Sequence, residues 1–148
     1  MPKAKLHLVK LCVGVDTLDQ LLDWQASAPD RNSAQGLPPH IYHVTRMWPK
    51  RADELLDGGS LYWVIKGQVQ ARQRIEALEE RIGADGIRRC AIQLHPELMA
   101  TTPQPRRAFQ GWRYLKSEDA PADIGPAQAQ NDELPLEVRM ALSEIGVL

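Results

Sequence analysis

The chain is 148 residues long, with 43% hydrophobic residues, 25% charged residues and a net charge of −1, a composition that excludes a disordered, collagenous or membrane-spanning chain and fits one globular domain. A chain of this length buries roughly two-thirds of its unfolded surface, so it needs neither a metal nor a disulfide to fold. Its two cysteines, Cys12 and Cys90, are too few for a stapled secreted scaffold. The longest unbroken apolar run, Leu61–Ile65, is far short of a bilayer span. Lys10 interrupts the apolar stretch that follows the basic start, so the sequence predicts no signal peptide, no membrane association and a cytoplasmic location.

In chain order, Leu6–Val13 alternates with Val9, Leu11 and Val13 on one face and reads as a strand. Asp16 is positioned to cap a helix whose apolar stripe is Leu18, Leu21 and Leu22. Ala26–Pro39, with three prolines and several turn formers, reads as a loop. Ile41–Met47 is rich in β-branched and aromatic residues and reads as a strand. Pro49 suits the first turn of a short helix over Ala52, Leu55 and Leu56, which Gly58-Gly59 ends because glycine accepts a left-handed backbone.

Leu61–Ile65 is the clearest strand, followed by a turn at Lys66-Gly67-Gln68. The next segment, Val69–Ile82, fits two periods. Ala71, Ile75, Leu78 and Ile82 make a helical stripe, while Val69, Ala71, Ile75 and Ala77 make one face of a strand. A tight turn after a strand most easily produces a hairpin, which favours a strand to about Leu78. Gly83–Gly86 is a further turn, and Arg89–Leu94 alternates with Cys90, Ile92 and Leu94 inward. Prolines 96, 103 and 105 argue against regular structure through much of 96–105. Phe109–Leu115 reads as an edge strand. The expected fold class is α+β, with five or six strands in a mixed, barrel-like sheet interrupted by short helices.

The expected organisation is a core domain over 1–116, an acidic, Ala/Pro-rich tether over 117–133 and a C-terminal amphipathic helix over 134–148. The stripe Val138, Leu142 and Ile145 defines that helix, which docks on the body or on a partner. Charge follows the same division. Residues 40–116 carry thirteen basic and eight acidic side chains, whereas 117–148 carry one basic and seven acidic. The pattern suits a polyanion-binding face, or a body complementary to its own acidic end.

No G-x-G-x-x-G, G-x-x-x-x-G-K-[ST] or G-x-S-x-G is present, which removes the readily legible dinucleotide, P-loop and hydrolase sites. His40 and His43 form an H-x-x-H pair, but on a strand they point to opposite faces, so no metal and no cofactor is expected. The strongest signal is basic and aromatic residues interleaved. Arg46, Trp48, Lys50 and Arg51 lie in TRMWPKR, Lys66 follows LYWVI, and Arg72 and Arg74 come next. Arg106, Arg107, Trp112, Arg113 and Tyr114 lie in PRRAFQGWRYLK. Seven of the eight aromatic residues fall in 40–116. Cations contact phosphates and flat rings stack on unpaired bases, so these twelve residues form a candidate nucleic-acid face. The competing reading puts the tryptophans in the core with arginines snorkelling around them.

The runs HVTRMWPKRADELLDGGSLYWVIKG, ARQRI, DGIRRCAI and PRRAFQGWRYLKSEDAP resemble an uncharacterised bacterial family, domain of unknown function 1489. That resemblance implies membership without an activity, substrate or site residue to carry over. ELLDGGSLYWVIKG and QARQRI also resemble the PUA-like group, which includes ASCH and EVE domains. This second resemblance implies a small pseudo-barrel that binds RNA or modified bases, although the G-x-K-x-x-x-x-R signature of many ASCH proteins is missing. The expected function is binding of RNA or another polyanion. The alternatives are a small enzyme that gathers Arg46, Lys50, Lys66 or Arg72 around a phosphorylated or nucleobase-like substrate, and a protein-interaction adaptor working through its C-terminal helix.

Overall fold

The segment with two competing periods forms the longest strand. In the computed structural model, which describes residues 6–36, 40–107, 109 and 111–127, Gln68–Ile82 is a single 15-residue strand. The elements in order are β1 (Leu6–Leu11), α1 (Leu18–Ala26), α2 (Ala28–Ala34), β2 (Ile41–Thr45), α3 (Ala52–Leu56), β3 (Ser60–Ile65), β4 (Gln68–Ile82), β5 (Arg88–Leu94), β6 (Met99–Pro105), β7 (Trp112–Lys116) and β8 (Asp123–Pro126). The strand reading wins because Lys66 and Gly67, with φ of 53° and 77°, make the two-residue turn that matches strand twist and pairs Ile65 with Gln68.

Eight strands make one open mixed sheet in the order β2-β5-β4-β3-β1-β7, with β6 on β4 and β8 on β6. β1 and β3 run parallel, and every other pair is antiparallel. The length of β4 lets it pair with β6 through its first half and with β5 through its second. One sheet face carries the main core, where Leu6, Leu8, Leu61, Trp63, Ile75 and Ile92 meet Leu21 of α1 and Leu55 of α3. The opposite face carries a smaller cluster of Val9, Tyr62, Val64, Val69 and Leu115. Every residue of β3 is therefore buried, as its unbroken apolar run implies. The backbone closes tightly at Gly59, where a Cβ would meet the carbonyl oxygens of Leu55 and Leu6 at 2.4 and 2.7 Å.

Several expectations need correction. β1 stops at Leu11 and buries both faces, leaving Val13 86% exposed. The helix cap is Thr17 rather than Asp16. Thr17 accepts the Gln20 N–H, and Gln20 in turn accepts the Asp16 N–H. The expected loop over 26–39 contains α2, because Pro29 sits in its first turn, where no N–H is needed. Pro49 precedes α3 instead of starting it. Prolines 103 and 105 do not abolish structure. They lie in β6, with Pro103 within the irregular stretch where the β4 register shifts, so a missing N–H costs no ladder bond there. Within the segment read as a tether, Ser117–Asp119 is a 3-10 turn and Asp123–Pro126 is β8. This short strand needs few apolar side chains of its own, because β6 supplies its backbone partners and Arg72 clamps Asp123. Residues 128–133 of that segment and the C-terminal helix lie outside the described residues. Among the described residues no helix is long and apolar enough to cross a membrane.

Candidate functional site

Two regions stand out. The first contains most of the residues expected to bind nucleic acid. Tyr114 in β7 joins the two basic segments. Its hydroxyl accepts the backbone N–H of Lys50 at 2.9 Å and of Arg51 at 3.2 Å, while the Trp112 indole N–H donates to the Met47 carbonyl at 2.9 Å. TRMWPKR is thereby fixed to the core-side face of β7, which Trp112 and Tyr114 share with Leu8 and Lys10. On the other side of Tyr114, Arg106, Arg107, Phe109 and Arg113 surround an open cleft of about 720 Å³, with Asp119 as the acidic residue in its wall. Arg106 N–H donates to Gly67 O at 2.8 Å, which sets the Lys66-Gly67 turn beside this cleft. The Arg113 guanidinium lies 5.6 Å from the Phe109 ring centre.

Among the described residues Arg46, Lys50, Arg106, Arg107 and Arg113 form no ion pair, while Arg51 pairs with Glu54 at 2.5 Å and Lys66 lies 3.8 Å from Asp16. Unpaired, solvated cations retain their full charge for a polyanion. Three expected residues do not join this strip as proposed. Trp112 is 5% exposed, part of the main core, and stacked edge-on against Tyr114, so its faces are not open to a base. Trp48 is half-buried, with the Arg88 guanidinium 4.5 Å from its ring. Arg72 turns to Asp123 through two bonds of 2.7 and 2.6 Å and to Ser60 Oγ at 2.9 Å. That bidentate grip holds its guanidinium charged and ties β8 down. Arg74 is exposed on β4, opposite Ser60.

Beside Arg72, His7 binds on both ring nitrogens: Nδ1 accepts the Ser60 N–H at 2.9 Å and Nε2 meets Ser117 Oγ at 2.9 Å. Burial, helped by the Arg72 charge and opposed by Asp123, lowers its pKa to about 4. The neutral ring is what the Ser60 bond requires, since a protonated Nδ1 cannot accept.

The second region was not singled out by motif. A cavity of about 650 Å³ lies between the end of β1, α1, α2 and the start of β2. Its floor is Trp63, whose indole N–H donates to Gln73 Oε1 at 2.9 Å. Gln73 also exchanges two bonds with Gln25 of α1, at 2.6 and 2.7 Å, and donates to His95 O at 3.1 Å. His43 and Lys10 reach the same cavity. His43 Nε2 is fully buried with no hydrogen-bond partner among the described residues, and burial, assisted by Lys10, lowers its pKa to about 4. Burial raises the Cys12 thiol to about 11, so this cavity-lining cysteine is protonated and a poor nucleophile. One sequence signal did point here. Leu6, Leu8 and Lys10 share a face of β1, which puts a lysine at an inward position.

An α+β protein with an open mixed sheet, a solvated basic strip at one edge and a helix-roofed cavity is the class that this geometry defines. The chain belongs to the family described as a protein of unknown function, DUF1489, whose profile matches residues 8–148. No curated protein and no solved structure matches it.

Proposed function

We propose that the chain is a binding module for single-stranded RNA, with the strip along β7 as its face. The observation that carries this reading is the Tyr114 joint, which ties one basic segment to the strand that carries the other and so brings together five cations that form no ion pair among the described residues. Arg106, Arg107 and Arg113 contact phosphates, Lys50 and Arg46 extend the track, and Phe109 and Tyr114 offer ring surface in place of Trp112. The barrel-like, PUA-like reading of the sheet belongs to the same proposal. It is supported by the bonds from the segment after β2, at one end of the strand order, to β7 at the other. So do the cytoplasmic location and the division into core, acidic segment and C-terminal helix. The small-enzyme alternative has less support, because the Arg72 guanidinium is occupied by Asp123 and Ser60.

Anisotropy of a labelled uridine oligomer, titrated across salt concentrations, tests the reading. Affinity falls linearly on a log–log plot as salt rises, and replacing Arg106 and Arg107 with alanine reduces the slope by about 1.4 units, two single-strand contacts. Absence of binding at low salt to RNA and single-stranded DNA alike overturns it.

A further inference from the structure

β1 ends with an arrangement that its own packing does not require. The cross-strand partners of Lys10 are Trp63 on β3 and Trp112 on β7, and residues directly opposite one another project to the same face. Lys10 therefore leaves the sheet on the core side, two positions beyond the buried Leu8, in a place where the alternation calls for an apolar residue. A lysine turned inward is ordinarily paired with a carboxylate. Among the described residues Lys10 has no ion-pair partner, and the one carboxylate in the cavity wall, Asp16, sits at the exposed rim opposite Lys66.

His43 lines the same cavity, with its ring edge-on to Trp63 at 5.4 Å. Its Nε2 is buried and unpartnered, a condition that costs a folded protein about 1–3 kcal/mol. Lys10, Cys12 and His43 line one cavity, with the charge of Lys10 felt at both of the others. The remaining wall is largely apolar, with Leu11, Ile41 and Leu94 alongside Tyr42. Gln25, also in that wall, is buried and exchanges a pair of amide hydrogen bonds with Gln73. A cavity of about 650 Å³ lies within the usual size range of small-molecule sites.

We propose that this cavity is a binding site for a small organic acid, its carboxylate held by the Lys10 ammonium and its apolar, ring-sized body against His43, Trp63, Ile41 and Leu94. The carboxylate supplies the counter-charge that Lys10 lacks among the described residues. The site is separate from the β7 strip, and neither reading depends on the other.

The experiment compares 2-naphthoate with 2-naphthamide, a probe of the same shape without the charge, each titrated into the full chain at neutral pH and low salt. Isothermal calorimetry measures affinity, and nitrogen-15 NMR of the histidine side chains reports on His43. The expected result is naphthoate binding about tenfold or more tightly than naphthamide, equivalent to one modest charge interaction. The His43 imidazole resonances shift on addition of naphthoate. In Lys10→Met, which keeps an unbranched apolar stem at the position, naphthoate loses that preference. Equal affinity for the two probes, no binding by naphthoate below about 1 mM, or a bound naphthoate that leaves the His43 resonances unmoved overturns the proposal. All three of those readouts come from the unmodified chain and stand even if Lys10→Met does not fold. A preference that survives intact in folded Lys10→Met overturns it as well.

Discussion

The helix-roofed cavity and the β7 strip are both lined by cations and rings, yet they use them in opposite ways. Around the cavity the buried polar groups are withdrawn from water. Gln73 is satisfied on every side, His43 Nε2 has no partner among the described residues, and each state has a price in folding stability. On the strip the cations stay in water: Tyr114 holds the backbone of Lys50 and Arg51, and Arg46, Lys50, Arg106, Arg107 and Arg113 form no ion pair among the described residues. Substitutions should therefore separate cleanly: in the cavity wall they change stability, and on the strip they change only what the surface attracts.

The largest effect is expected at Gln73. Its 1% exposed amide accepts from Gln25 and Trp63 and donates to Gln25 and His95. Gln73→Ala strands an indole N–H, a glutamine amide and a carbonyl around a new void. Urea unfolding should show a loss of about 3–4 kcal/mol. Gln70→Ala, three residues away on the same strand, removes one bond to Ile65 O from a half-buried side chain and should cost less than about 1.5 kcal/mol. Equal losses at the two positions would mean that the network under α1 contributes nothing special.

Acid should produce the next largest effect. His7 and His43 both have folded pKa values lowered to about 4, mainly by burial, from 6.5. The unfolded chain therefore takes up these two protons first as pH falls. Their contribution is complete above about pH 6.5, is lost between about 6.5 and 4, and changes little below that. Denaturation midpoints measured across this window test the sign. His43→Phe should remove one share of the acid loss and leave that of His7, whose proton competes with the Ser60 N–H for Nδ1. An unchanged acid profile in that variant would show that His43 is accessible to protons in the folded state.

How much of this was readable in advance depended on how far apart the interacting residues lie. The β3–β4 hairpin was legible because Leu61–Ile65 and the Lys66-Gly67 turn are local signals, and β5 was legible from the alternation of Cys90, Ile92 and Leu94. α2 was missed because Pro29 reads as a breaker unless the helix is known to begin there. β6 and β8 were missed because their stability comes from neighbours rather than from their own side chains. Basic and aromatic residues marked the strip by composition, but composition could not show that Trp112 faces inward while Arg113 faces out. The Gln25–Gln73 exchange spans 48 residues and leaves no trace in either local pattern. Lys10 was visible as an interruption of an apolar strand, and only the register against Trp63 and Trp112 shows that it points into the core.

The smallest change in stability, and the most discriminating for the comparison, is expected at Arg113. Its side chain is exposed on the edge strand, with the Phe109 ring 5.6 Å away and no ion pair among the described residues. Its loss leaves no buried group unsatisfied and opens no cavity, so Arg113→Ala should alter the unfolding free energy by less than about 0.5 kcal/mol. The same substitution removes one cation from the cleft, and the slope of log affinity against log salt for a uridine oligomer should fall by about 0.7 units. Arg113→Lys keeps the charge and should restore that slope, although it loses the planar guanidinium that packs against Phe109. A large stability loss in Arg113→Ala would make the strip part of the structural core. An unchanged slope in a stable Arg113→Ala would place bound RNA elsewhere on the surface, and the contrast between a structural cavity and a recognition strip would then have to be drawn along a different edge of the sheet.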